Sequence, residues 1–233
     1  MRTAVFDMLG TFFSLEPLRQ RLSAMGAPDC TLEAWFAEAT RDHIALSHAG
    51  DYVPYSEILA AALPRTLLLL GKGSQDRSRQ EQVLKGLNML NPAEGAQAAC
   101  VRLVEAGWRL VALTNSGEDY TRALLDRAGV LERFDEVLSA DRLQTSKPHP
   151  DVYAMAHAEP GRECWMISAQ GWDIAGARRA GMRTVWLSKR EKCWLEALPR
   201  PDLEVPDVAT ATQALLRLSG VGAGAAFEQG AIA

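Results

Sequence analysis

Asp7, Lys147, Asp173 and a few hydroxyl and amide neighbours are the side chains in this sequence best suited to breaking a bond. Asp7 closes the apolar run Thr3-Ala4-Val5-Phe6, and Gly10 and Thr11 follow at once. A carboxylate so placed can act as a nucleophile, forming a covalent ester or acyl phosphate. Lys147, in the segment Ser146-Lys147-Pro148-His149-Pro150, offers a cation to pair with and orient it. Thr114 and Asn115 end another apolar run and can donate hydrogen bonds to a substrate oxygen or a leaving group. Ser168 ends a third, and Asp173 follows it, able to fix Lys147 or help activate a water. Each has a structural duty as well. Asn can cap a helix, Asp near a helix start serves the dipole, and Ser favours turns. His149 is flanked by prolines and reads as part of a turn rather than as a general base.

Residues so far apart can meet only if the fold gathers them. Short apolar strands alternate with helical stretches from Asn91 onward: helix 93–106, strand 108–113, helix 118–128, strand 136–138, strand 164–167, helix 172–180, strand 184–187, strand 203–205 and helix 208–218. Such alternation predicts an α/β protein with a parallel sheet. Ligands of such sheets collect beyond the carboxyl ends of the strands, where Asp7, Thr114 and Ser168 all fall.

Residues from about 15 to 90 show no strand pattern. Leu32, Trp35, Phe36, Ala39 and His43 recur at helical spacing, and residues 55–70 form a second helical stretch, expected to bend or break at Pro64. Ser74 is placed to cap a third, running to about Met89. Trp35, Phe36 and Tyr52 could roof a pocket or simply fill the core of a helical subdomain. His43 and His48 are poorly spaced as a metal pair and are expected to be partly exposed or interfacial. The stretch 220–233 is rich in Gly and Ala and reads as a flexible tail, not a nucleotide loop.

Composition narrows the class. The 233 residues are 48% hydrophobic and 23% charged, with a formal net charge of −4. That is a soluble, globular balance without the basic excess of a nucleic-acid-binding surface. The four cysteines include no CxxC pair, so buried free thiols are expected rather than a disulfide framework or zinc site. No apolar run approaches the ~20 residues that span a bilayer, and no signal peptide of ordinary form opens the chain. A cytoplasmic protein without membrane association is expected.

Four segments taken together resemble the haloacid dehalogenase-like hydrolase superfamily: VFDMLGTF at 5–12, LVALTNS at 110–116, SKPHPDVY at 146–153 and MISAQGWDIAGARRAGMRTVWL at 166–187. The resemblance implies a Rossmann-like parallel-sheet core, residues 1–14 and 91–219, with an inserted helical cap, residues 15–90. Phosphatases of that superfamily carry a second Asp two residues after the nucleophile, where Leu9 stands, and an acidic metal ligand where Ala169 stands. The set is more similar to the type II L-2-haloacid dehalogenases, in which a Trp precedes the last Asp, as Trp172 precedes Asp173. What this implies is catalysis by Asp7, Lys147, Asp173, Ser168 and Thr114, with attack of Asp7 on the halogen-bearing carbon of a small organic acid and hydrolysis of the aspartyl ester. Asn115, Leu9, Phe36, Gln170 and Trp172 would contact substrate. No metal or cofactor is implied; magnesium would be needed only by a phosphatase with an atypical site. A homodimer joined through cap helices is also implied.

The sequence departs from that group where substrate is held. Leu9 replaces a Tyr, Gln170 an Asn, and Phe36 the cap Arg that follows a Trp and holds the departing halide. Arg41 is five residues further along the same helical stretch, about 140° around it, and is a poor substitute. These changes keep two alternatives open beside a dehalogenase: a phosphatase, and a protein of this fold that binds without turnover.

Overall fold

The structure is a computed structural model and describes residues 2–72, 77–156, 163–218 and Gly220. Among the described residues, six strands form one all-parallel sheet in the order β3-β2-β1-β4-β5-β6. They are β1 (Thr3–Phe6), β2 (Arg109–Thr114), β3 (Glu136–Ser139), β4 (Cys164–Ser168), β5 (Arg183–Leu187) and β6 (Leu203–Val205). β1, first in the chain and one of the two middle strands of the sheet, is buried along its whole length, as a strand covered on both faces must be. The expected α/β class is therefore what the chain adopts.

The helices fall into two groups. α1 (Glu16–Ala24), α2 (Thr31–Ala49), α3 (Tyr55–Leu69) and α4 (Arg77–Lys85) all lie between β1 and the next strand. The others, α5 (Ala96–Glu105), α6 (Glu118–Arg127), α7 (Pro150–Ala156), α8 (Gly171–Arg179) and α9 (Val208–Leu218), connect or follow the strands. The sequence pattern alone did not single out α1 or α7. α1 is announced by Pro17 in its first turn, a position where a missing N–H costs nothing. Ser74 and residues 221–233 lie outside the described residues, as do the cap role and the tail expected of them.

Several expectations are corrected. Pro64 does not break α3, which runs on to Leu69. Burial of Leu59, Leu63 and Leu67 along one face holds the helix against α2, and Trp35 Nε1 donates to the Leu59 carbonyl at 2.8 Å. His43 is not partly exposed but 1% exposed, set between the rings of Tyr52 and Tyr55 at 5.7 and 5.0 Å. Burial pushes it down to about 4, so it sits in the core as a neutral ring. Of the cysteines only Cys100 and Cys164 are buried; Cys30 and Cys193 are exposed thiols. β2 and β4 each extend one residue beyond the apolar run, to Thr114 and Ser168, because the ladder continues through a polar residue when its backbone has a partner strand.

Candidate active site

The strand order reverses direction beside β1, between β1 and β4, and crevices form at such switch points. Asp7 follows β1 and Ser168 ends β4, so the two sit side by side at the carboxyl edge of the sheet. β2 flanks β1 on the other side and brings Thr114 and Asn115 to the same edge.

Lys147 reaches this crevice from the loop before α7. Its ammonium donates to Asp7 Oδ1 at 2.9 Å and to Asp173 Oδ2 at 3.1 Å. All three side chains are buried, Lys147 to 1% exposure and Asp173 completely. Desolvation would lower the Lys147 ammonium, but Asp173 and Asp7 outweigh it and hold it above its usual range. Desolvation raises Asp173, and Lys147 opposes that shift only in part because Asp7 adds a second negative charge. Two carboxyl groups therefore share one ammonium in a site kept from water.

Each member is held by its own neighbours. Asn115 Oδ1 accepts the backbone N–H of Lys147 at 2.8 Å, pinning the lysine loop to the end of β2. Asn115 does not cap the following helix, whose N-cap is Gly117. Thr114 Oγ1 accepts the Ser116 N–H at 3.0 Å and shapes the same turn. Ser168 is fully buried; its hydroxyl bonds to Asp173 and accepts the Gln170 N–H at 3.2 Å. Gln170 Nε2 faces Asp7 Oδ2 at 3.4 Å and the Leu9 carbonyl at 3.5 Å, while its Oε1 accepts Trp172 Nε1–H at 3.0 Å. Trp172 thus fixes which end of the amide points at Asp7.

Two residues essential to this geometry were not proposed from sequence. Thr11 Oγ1 donates to Asp7 Oδ2 at 2.6 Å and accepts the Ala169 N–H at 3.0 Å, tying the two strand ends together. Tyr153 donates to Asp173 Oδ1 at 2.8 Å. Burial and the adjacent Asp173 raise the Tyr153 phenol well above its usual value, so it remains a donor. Both lie inside quoted motifs, Thr11 four residues after Asp7 and Tyr153 on the helix that follows Lys147; the motif was the available signal.

Phe36 packs against its neighbour on the same helix. It is buried on α2 with its ring edge-on to Trp35 at 5.1 Å. Arg41 is paired with Glu38 at 2.6 Å and Asp42 at 2.8 Å on the exposed side of α2. His149 is solvent-facing, its Nδ1 accepting the Asp151 N–H at 3.3 Å. A cleft of about 710 Å³ opens beside the crevice, bordered by Gly10, Thr11, Ala169, Leu32, Glu33 and Arg190.

A doubly wound sheet with a buried carboxylate–ammonium–carboxylate set at its switch point marks an α/β enzyme. The chain belongs to the haloacid dehalogenase-like hydrolase family, whose model matches residues 1–181. It is similar to the (S)-2-haloacid dehalogenase of Xanthobacter autotrophicus, 27% identical over 205 residues, 86% of this chain and 79% of that one. The (S)-2-haloacid dehalogenase of Pseudomonas sp. (strain YL) is likewise 27% identical over 226 residues, 95% of each chain. The solved structure of L-2-haloacid dehalogenase from Xanthobacter autotrophicus shares the fold, with a TM-score of 0.81 at 23% identity, covering 92% of this chain and 98% of that one.

Proposed function

We propose that this hydrolase removes halide from a small (S)-2-haloacid without a metal or other cofactor, using Asp7 as nucleophile. Asp7 would attack the halogen-bearing carbon, the carbon–halogen bond would break, and an aspartyl ester would link the acid to the enzyme. Water would then attack the ester carbonyl, returning Asp7 and a 2-hydroxy acid, with halide and one proton as the other products. Lys147 orients Asp7 and is positioned to stabilise charge at the ester oxygen, while Asp173 and Ser168 are suited to hold the attacking water. Thr114 and Asn115 shape the turn at the end of β2, and Leu9, Phe36, Gln170 and Trp172 are assigned to substrate contact. Helices α1 to α4, within residues 15–90, would act as a cap over the core of residues 1–14 and 91–219.

The observation that carries this reading is the Lys147 ammonium bound to both Asp7 and Asp173. Magnesium requires a shell of oxygen ligands. Here the two carboxylates already face an ammonium, and the side chains at Leu9 and Ala169 offer only carbon. Displacement at an alkyl carbon needs no cation to neutralise a phosphate, so this donor set suits it. Among the described residues, no group of three or more His, Cys, Asp or Glu side chains could hold a metal. The similarity to (S)-2-haloacid dehalogenases points to the substrate class.

The test measures halide release from (S)-2-chloropropionate beside phosphate release from an aryl phosphate, with and without magnesium. Halide release independent of magnesium and abolished in Asp7→Asn is expected. Magnesium-dependent phosphate release would replace the dehalogenase assignment with a phosphatase one. We also propose a homodimer through the inserted helices, for which Leu68 and Leu69 of α3, 61% and 69% exposed, offer an apolar face. We further propose a cytoplasmic location without nucleic-acid or membrane partners; among the described residues no helix is long and apolar enough to cross a bilayer.

A further inference from the structure

A 2-haloacid is an anion, and the halide it loses is another. The positive charge beside Asp7 is already engaged, since Lys147 is shared by two carboxylates. α2 carries Phe36 where a cation was expected, and Arg41 is ion-paired on the exposed side of that helix. A different arginine has an unused donor. Arg190 lies in the loop after β5, at the same carboxyl edge of the sheet, and its Nη1 is buried without a hydrogen-bond partner. Buried donors are almost always satisfied, and one on a charged group calls for a partner.

The surroundings of Arg190 place it on the border of the cleft beside the crevice. Its Nη1 lies against Gly10, three residues past Asp7, where a side chain's Cβ would sit only 2.1 Å from it. Gly10 has φ 82°, so glycine both makes this turn and leaves room for the guanidinium. Arg190 acts electrostatically on Glu33 of α2 and on the Tyr55 hydroxyl, and Asp7 acts on that same hydroxyl. Tyr55 in turn shares a hydrogen bond of 2.9 Å with Thr40. Glu33, Phe36 and Thr40 fall at i, i+3 and i+7, one face of α2. From the core side, the guanidinium therefore shares the border of the cleft with Thr11 and Ala169, and with Glu33 of α2.

We infer that Arg190 is the anion-binding cation of this site. Through Nη1 it holds a small monovalent anion, the carboxylate of the substrate or the halide displaced from it. A core arginine thereby does the work that α2, with Phe36, cannot. The substrate named here rests on the dehalogenase assignment; the anion site does not.

The experiment uses the whole protein and two probes, chloride and propionate. Chloride binding is read from the line broadening of its nuclear magnetic resonance, and propionate from its displacement of chloride. Wild type should broaden the chloride line, and Arg190→Gln should cut that broadening about tenfold while melting near the wild-type temperature. Displacement by propionate assigns the carboxylate to the same site; broadening that resists propionate assigns the site to halide alone. In turnover of 2-chloropropionate, Arg190→Gln should lower kcat/KM about a hundredfold, the scale of losing one preorganised donor to a developing anion. If Arg190→Gln does not fold, Arg190→Lys takes its place, because a point charge cannot reproduce the planar fork. Unchanged affinity for both probes in that variant overturns the inference. So does wild-type broadening in Arg190→Gln, or undiminished halide release. Loss of broadening in Arg190→Gln with no dehalogenation by wild type keeps the anion site and removes the substrate assignment.

Discussion

At the scale of single residues, the site is a balance of charges held away from water. Replacing Lys147 by Met would leave Asp7 and Asp173 facing each other without a cation. Breaking a buried pair by removing one partner typically costs about 3–5 kcal/mol, so Lys147→Met should lose that much stability in urea unfolding, along with all activity. Tyr153 makes a subtler case. Its hydroxyl donates to Asp173, whose carboxyl burial already raises. Tyr153→Phe removes a stabiliser of the charged form and should push Asp173 further up, by about one pH unit for a hydrogen bond to a charged group. The acid limb of the rate profile should therefore move to higher pH, with only a modest change in melting temperature. His43 predicts a pH effect on stability instead. Its ring is held down to about 4 in the folded protein, against 6.5 unfolded. The unfolded chain binds the extra proton between those values, so stability falls as pH drops through that window. The loss from pH 7.5 to pH 5 should be about 2 kcal/mol, and His43→Phe should flatten it. Equal slopes in the two proteins would show that His43 does not titrate there.

At the scale of elements, the α2–α3 pair shows how local signals yield to packing. Pro64 marks a break by its chemistry alone, because it removes a backbone donor. The helix nevertheless continues, since the face bearing Leu59, Leu63 and Leu67 gains more from burial than one backbone hydrogen bond contributes. Trp35 locks the pair through its bond to the Leu59 carbonyl. Trp35→Phe should lower stability by about 2 kcal/mol, from an orphaned carbonyl and a small void. A midpoint within error of wild type would mean that carbonyl finds another donor. The core elements behave more simply. β2 and β4 extend to Thr114 and Ser168 and so deliver polar side chains at their last rungs. An apolar pattern stops one residue early, because it reports burial of side chains, not pairing of backbones.

At the scale of the whole molecule, the inserted helices are anchored to the core at several points. Tyr52 donates to Asp141, Ser47 and Thr145 share a hydrogen bond of 2.9 Å, and Tyr120 donates to the Leu87 carbonyl at 2.8 Å. These contacts fix α2 and the segments beside it against the strand-bearing part of the chain. The exposed Leu68 and Leu69 lie on the next helix. If they join two copies, sedimentation should report a dimer, and Leu68→Glu combined with Leu69→Glu should yield monomers that keep their fold. A wild-type protein that sediments as a monomer would remove the dimer.

The α/β class, the parallel sheet, the helical region before Asn91 and the meeting of Asp7, Lys147, Ser168 and Asp173 at one edge were all legible in the sequence. Each follows from local patterning or from motif order, and a parallel sheet converts that order into a shared edge without further information. Other features belong to the tertiary structure alone. That Thr11 and Tyr153 hold the two carboxylates, that His43 is buried, that Cys30 and Cys193 are not, and that Arg190 carries an unsatisfied donor near Gly10 could not be read from spacing. These depend on contacts between segments far apart in the chain, such as Thr11 with Ala169 and Gly10 with Arg190. A one-dimensional pattern records how often an apolar side chain recurs along one element. It does not record which polar group from a distant element meets it across a packed interface, and that meeting decides where the charges of this site lie.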